Sequence, residues 1–271
     1  MTRQYCHIGS RTIAYLDSAP KHNELKALVL LHAFPIGANL WEPQMRAIPK
    51  GWRLITPDLR GFGGSTELDS IGALSIGDYA DDVVDLLEEL GVARAVIGGC
   101  SMGGYAAQAL FQSKPEIVEA LVLANTRAGA DSPESRANRR NMLTLVDREG
   151  PSGVAREMMP KMLGQTTRDS NASAECTVRR LIKQQSPTAI RSAIHRMMHR
   201  PDSTPMLPTI SVPTLVITGA EDEMIPVEES RKIAAAIPGA TLVIVPGAGH
   251  LANLEQPEAF NDALTQFLAT L

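Results

Sequence analysis

Three residue types at three places in this chain could together carry out nucleophilic chemistry. Ser101 lies in Ala95-Val96-Ile97-Gly98-Gly99-Cys100-Ser101-Met102-Gly103-Gly104, where an apolar run ends in glycines and a helix-compatible run begins. Gly99 and Gly103 flank it at the spacing Gly-x-Ser-x-Gly, which removes side chains where a sharp strand-to-helix turn would crowd them. A serine hydroxyl is a poor nucleophile near neutral pH until a base takes its proton. His250, in Pro246-Gly247-Ala248-Gly249-His250, follows an apolar run and is the candidate base. A carboxylate fixing the histidine tautomer would come from Ala220-Glu221-Asp222-Glu223. Asp222 is central in that loop and is preferred, with Glu221 and Glu223 as competitors on spacing alone.

These groups need elements to position them. Ala27 to Leu31, residues 53–57, 94–99, 118–124, 213–219 and 240–245 read as short apolar strands of the kind buried in a parallel sheet. Two further strands are expected at 4–8 and 11–16, turning at His7 to Arg11. Helical patterns follow at 40–47, 78–90, 103–113, 228–237 and 258–271. Ser75 and Asp78 suggest a capping box for the second of these, whose acidic residues read as a solvated face. In an open α/β sheet, chemistry gathers at the carboxyl ends of the strands. Ser101, the acidic loop and His250 all fall at such ends, in the order Ser, Asp/Glu, His. So does His32-Ala33-Phe34-Pro35, where His32 is expected to order backbone. Asp58 and Arg60 are expected to pair or hydrogen-bond to hold the turn-rich loop 58–65. Trp41 is expected to anchor the segment after the His32 loop, and Tyr15 and Leu16 to pack. His7 and His22 read as surface side chains.

After Asn125 the pattern changes. Residues 134–148, 152–163, 170–184 and 186–199 read as helices with no strand among them. From Arg127 to Arg200 the charge is +7, whereas the remainder carries -11 against a total of -4. This predicts a core of residues 1–126 and 206–271 and a helical cap, or lid, of residues 127–205, inserted after the sixth strand. Recurrent methionines there suit packing or an adaptable lining for an acyl or aromatic substrate. Its arginines read mainly as solvent-facing, and His195 and His199 as lid residues.

At 271 residues and 44% hydrophobic content the chain suffices for one α/β domain with such an insertion. The net negative charge argues against a nucleic-acid partner. No stretch approaches the 18 or more apolar residues of a membrane span. Cys6, Cys100 and Cys176 have neither zinc-site nor Cys-x-x-Cys spacing. A soluble cytoplasmic protein is expected, of open oligomeric state.

Nearly the whole chain resembles the α/β-hydrolase superfamily. The matching segments are His32-Ala33-Phe34-Pro35, Asp58 to Ser65, Gly99 to Gly104, Gly219 to Asp222, and Gly249 to Pro257. Within it the chain looks like lid-bearing serine esterases, enol-lactonases and cofactor-free perhydrolases. The resemblance implies a mostly parallel sheet with helices on both faces. It also implies a nucleophile at Ser101, partners Asp222 and His250, and an oxyanion hole from the backbone N–H groups of Phe34 and Met102. No metal or organic cofactor is implied. Ala33 stands where the pattern commonly has glycine, a departure that bears on the geometry of the hole.

The expected reaction is acyl transfer from a small carboxylic ester or lactone to water, as in carboxylesterases or 3-oxoadipate enol-lactonases. Alternatives are carbon–carbon hydrolysis of diketone ring-cleavage products, and perhydrolysis. The first branch often has tryptophan after the histidine, where this chain has Leu251. Serine at position 101 argues against dehalogenation and epoxide opening, which use aspartate. A non-enzymatic ligand receptor on the same scaffold is disfavoured, because every proposed catalytic residue is present.

Overall fold

Runs of apolar side chains that leave no polar face must be covered on both sides, and this requirement builds the centre of the molecule. A computed structural model describes residues 2–67 and 74–271. Its sheet has eight strands: β1 (Gln4–Ile8), β2 (Arg11–Asp17), β3 (Lys26–Leu31), β4 (Trp52–Pro57), β5 (Ala95–Cys100), β6 (Val118–Ala124), β7 (Thr214–Gly219) and β8 (Thr241–Val245). Their order is β1-β2-β4-β3-β5-β6-β7-β8. The pairs β1–β2 and β2–β4 are antiparallel and all others parallel. The central strands are buried along almost their whole length, with Leu28 to Leu31 fully enclosed. Each such aliphatic side chain contributes about 1.5–3 kcal/mol relative to exposure.

Helices α1 (Glu42–Ala47), α2 (Gly77–Glu89), α3 (Met102–Ser113), α8 (Val227–Ala236), α9 (Ala252–Glu255) and α10 (Pro257–Leu268) alternate with the strands. Tyr15 and Leu16 are buried, and fully buried Trp41 packs against Phe260 with ring centroids 6.0 Å apart. At the start of α2, Ser75 N–H donates to Asp78 Oδ2 and Gly77 N–H to Ser75 Oγ, at 3.2 and 3.1 Å. The reciprocal pairing expected of a capping box is present, but the serine caps Gly77 rather than Asp78.

Between β6 and β7 the chain runs through α4 (Pro133–Met162), α5 (Gln165–Ser170), α6 (Ala172–Lys183) and α7 (Pro187–Met198). The Ser132 hydroxyl accepts from Ser135 N–H, with Pro133 at the first helical position. Within α4, Gly150 at φ +59° and Pro151 break the helix where the sequence predicts a joint. Met158, Met159, Met162, Met197 and Met198 are buried, as packing methionines should be.

Several polar expectations require correction. Asp58 and Arg60 do not pair with each other, although Asp58 does hold the loop by hydrogen bonds, as the other alternative expects. Asp58 accepts from Ala38 N–H at 2.8 Å and Gly64 N–H at 3.1 Å and pairs with Arg3, so it ties two loops together. Arg60 forms a fork on Asp82 at 2.7 and 2.8 Å. Arg11 binds that same carboxylate, so Asp82 is buried rather than part of a solvated face. Arg196 and Arg200 on and after α7 are also buried. Arg196 binds Glu67 and Asp78 and stacks over Tyr79; Arg200 binds Asp131 and lies over Tyr105 at 4.1 Å. Part of the insertion's positive charge is therefore consumed inside the protein, because a charge withdrawn from water needs a partner.

Candidate active site

Strand register brings the candidate groups to one edge. Cys100 pairs with Ala124, Ala124 with Ile217, and Ile217 with Val243. The residues leaving β5, β6, β7 and β8 therefore emerge side by side at the carboxyl end of the sheet, where open α/β sheets form their crevice.

Ser101 joins β5 to α3 at φ +53°, ψ -110°, a conformation costly for a residue with a side chain. The turn survives because its neighbours leave no alternative. A Cβ at Gly103 would run into Leu31 O, and one at Gly99 into the backbone of Gly103. Ser101 N–H donates to Ala124 O at 2.9 Å, and its carbonyl accepts from the Thr126 hydroxyl at 2.9 Å. The glycine spacing is thus a record of close backbone approach.

His250 is almost wholly buried, and its Nδ1–H donates to Asp222 Oδ2 at 2.8 Å. This bond fixes the tautomer and leaves Nε2 as an acceptor. Nε2 is buried and has no hydrogen-bond partner among the described residues. The Ser101–His250 contact is therefore not closed here; such contacts often tighten only around substrate. Asp222 Oδ1 accepts from Met224 N–H and Ile225 N–H, both at 2.9 Å. Burial pushes the Asp222 carboxyl pKa up, but adjacent His250, the Ile225 N–H and the Asn125 amide outweigh it and hold the pKa below its ordinary value. The competitors for its place face elsewhere: Glu221 binds Thr166, and Glu223 binds Arg168.

His32 is fully buried and orders backbone as expected. Its Nδ1–H donates to Ala33 O and its Nε2 accepts from Leu59 N–H, each at 3.0 Å. Burial lowers its pKa and favours this neutral ring. Ala33 does not strain the loop. Among the described residues only Lys21, Ser101 and Asn125 are non-glycines at positive φ, so position 33 makes no demand that alanine fails to meet. Phe34 and Met102 are buried at the two strand ends. Neither backbone N–H has an acceptor among the described residues, as a pair of free anion donors requires. His195 and His199 stack on each other in the helical insertion, with centroids 6.3 Å apart.

Two supports were not foreseen from sequence. Asn125, at φ +44° directly after β6, donates through Nδ2 to Asp222 Oδ2 at 2.9 Å and to Gly249 O at 3.0 Å. Its signal was available: a polar residue ending the buried run 118–124 at the same edge as Ser101. Glu255, buried in α9, accepts from Gly249 N–H and Leu251 N–H at 2.9 and 3.0 Å, the two amides flanking His250. Cys100 lies against the same loop, its Sγ 3.6 Å from His250 O.

Comparison with known proteins agrees with this architecture. Residues 28–263 match the model of the alpha/beta hydrolase family. The chain is similar to a thermophilic esterase from Thermogutta terrifontis, solved with malate bound, at 34% identity and a TM-score of 0.92, covering 100% of this chain and 99% of that one. It is similar to a Caulobacter protein provisionally named carbamate hydrolase RutD, at 32% identity over 85% of this chain and 86% of that protein. It is also similar to 3-oxoadipate enol-lactonase 2 of Acinetobacter baylyi, at 27% identity over 88% of this chain and 86% of that protein. With its eight-stranded, mostly parallel sheet and a family match spanning most of its length, the chain belongs to the alpha/beta hydrolase family.

Proposed function

We propose that this protein is a serine hydrolase that cleaves a carboxylic ester or lactone of a small substrate through an acyl-enzyme at Ser101. The observation that carries this reading is the juxtaposition at one sheet edge of a strained serine turn and a buried His250–Asp222 hydrogen bond of 2.8 Å. His250 Nε2 takes the Ser101 proton as Oγ attacks the carbonyl, and Asp222 stabilises the imidazolium. The N–H groups of Phe34 and Met102 receive the developing oxyanion; each such donor lowers the barrier by about 3–4 kcal/mol. His250 then protonates the leaving oxygen. In the second half it activates water, which releases the acid and regenerates Ser101. Residues 127–205 act as the cap that selects the acyl group.

The esterase and enol-lactonase names among similar proteins support an ester or lactone substrate. The carbamate hydrolase name favours a second reading, in which the acyl group is a carbamoyl and the leaving group is the oxygen of the carbamate ester. Turnover of short-chain aryl esters, enol-lactones, carbamates and vinylogous diketones, each with the wild type and Ser101→Ala, tests the proposal. Ester or lactone turnover that vanishes in Ser101→Ala is expected. Carbamate or diketone turnover without ester or lactone turnover would replace this reading with its rival.

A further inference from the structure

One short stretch of the helical insertion touches both loops that carry the proposed acid and base. His250 N–H donates to Met162 O at 3.2 Å. Glu255 accepts from Gly164 N–H through Oε2 at 2.7 Å, while its Oε1 holds the amides on either side of His250. Glu221, next to Asp222, accepts from Thr166 N–H at 2.8 Å and from the Thr166 hydroxyl at 2.5 Å. Arg168 pairs with Glu223 at 3.4 Å. Backbone approaches backbone without room for side chains: a Cβ at Gly164 would lie 2.6 Å from Glu221 Oε2 and 2.8 Å from Gly249 N, and one at Gly249 would meet Gly164 N.

We infer that residues 162–168 are a strut that sets the position of His250 relative to Asp222, with Glu255 as the positioning residue that transmits it. The inference rests on the serine-hydrolase reading above. The segment joins α4 to α5, so displacement of these insertion helices moves the backbone to which the histidine loop is hydrogen-bonded. Glu255 is suited to the role because one carboxylate oxygen serves the histidine loop and the other serves the insertion. A buried carboxylate accepting three backbone N–H groups is charge-assisted on every bond, so its geometry resists change.

The variant Glu255→Gln separates the two sides. Its carbonyl oxygen replaces Oε1 on Gly249 and Leu251, whereas its NH2 group meets Gly164 N–H donor to donor, which cuts the link to the insertion. With the best ester or lactone substrate, kcat is expected to fall at least tenfold with KM within about twofold. The rate of modification by a serine-directed fluorophosphonate should fall in parallel, and melting should remain cooperative. Glu221→Ala removes the Thr166 bonds from a partly exposed site and should lower kcat about threefold, again with KM little changed. It reads the same link should Glu255→Gln not fold. Unchanged kcat in both folded variants, or a raised KM at constant kcat, would overturn the strut. Full activity in Ser101→Ala would instead overturn the reading on which it rests, so the two failures are distinguishable.

Discussion

The turn at Ser101 and the loop at His250 face each other across one sheet edge, but different forces hold them. Ser101 is confined by exclusion: positive φ, a glycine two residues away on each side, and backbone where any Cβ would go. His250 is confined by attraction. Its ring bonds Asp222, its amide bonds Met162 O, and its flanking residues are held by Asn125 and Glu255. Steric confinement depends on glycines beside the serine in sequence and fails abruptly when a side chain is added. Hydrogen-bonded confinement draws on residues up to 124 positions away, as from Asn125 to Gly249, and weakens one bond at a time.

The largest break in the comparison comes from the attraction side. Asp222→Asn keeps the shape but turns an amide group toward His250 Nδ1 and favours the wrong tautomer. Steady-state kinetics should show kcat lower by about 10⁴, with little change in KM. Asn125→Leu comes next. It removes the donor shared by Asp222 Oδ2 and Gly249 O, and hydrogen bonds to charged groups are worth about 1.5–3 kcal/mol. A kcat loss of about 10- to 100-fold in a variant that still melts cooperatively, though at a lower temperature because leucine is strained at this positive φ, would mark graded confinement; lowered stability with normal kcat would refute it.

Gly103→Ala probes the exclusion side. Its Cβ meets Leu31 O, which cannot rotate away as a side-chain end would. Overpacking of this kind costs about 1–3 kcal/mol. Chemical denaturation and fluorophosphonate labelling should fall together, because the turn and the fold share the same contact. Loss of labelling at unchanged stability would show that the turn is softer than its packing implies.

The smallest effect is in pH dependence. The Asp222 pKa lies below its ordinary 3.8 in the folded protein. A depressed carboxyl pKa contributes stability above the unfolded value, lost as pH falls through the lower folded value. The part of the stability gap between wild type and Asp222→Asn that comes from this carboxylate should thus be present above about pH 4 and be lost as the pH falls below it. The Ser101 turn contains no titrating partner of this kind, so a comparable gap for Gly103→Ala should persist in acid.

The same contrast explains what was legible in the sequence. Ser101, Gly99 and Gly103 are local, so their spacing alone disclosed the turn. Asp222 and His250 were legible as polar residues leaving apolar strands, and the register of β5 to β8 brings them to one edge. Glu255 was not legible as a support. An acidic residue in a short helix ordinarily reads as surface, and only the fold shows it facing three buried amides. Arg196 and Arg200 misled for the related reason that a charge count cannot tell a solvated guanidinium from one paired with Glu67, Asp78 or Asp131. Asp82 misled likewise, since its partners Arg11 and Arg60 lie 71 and 22 residues away in sequence.

The central claim is that Ser101 carries the acyl group. The most direct measurement is rapid acid quench of the enzyme during turnover of an activated ester, followed by peptide mass mapping. One acyl group per chain on the peptide containing Ser101 is expected, absent in Ser101→Ala and formed at least 10³-fold more slowly in His250→Ala. An acyl group on another residue, or undiminished turnover by Ser101→Ala, would contradict the account.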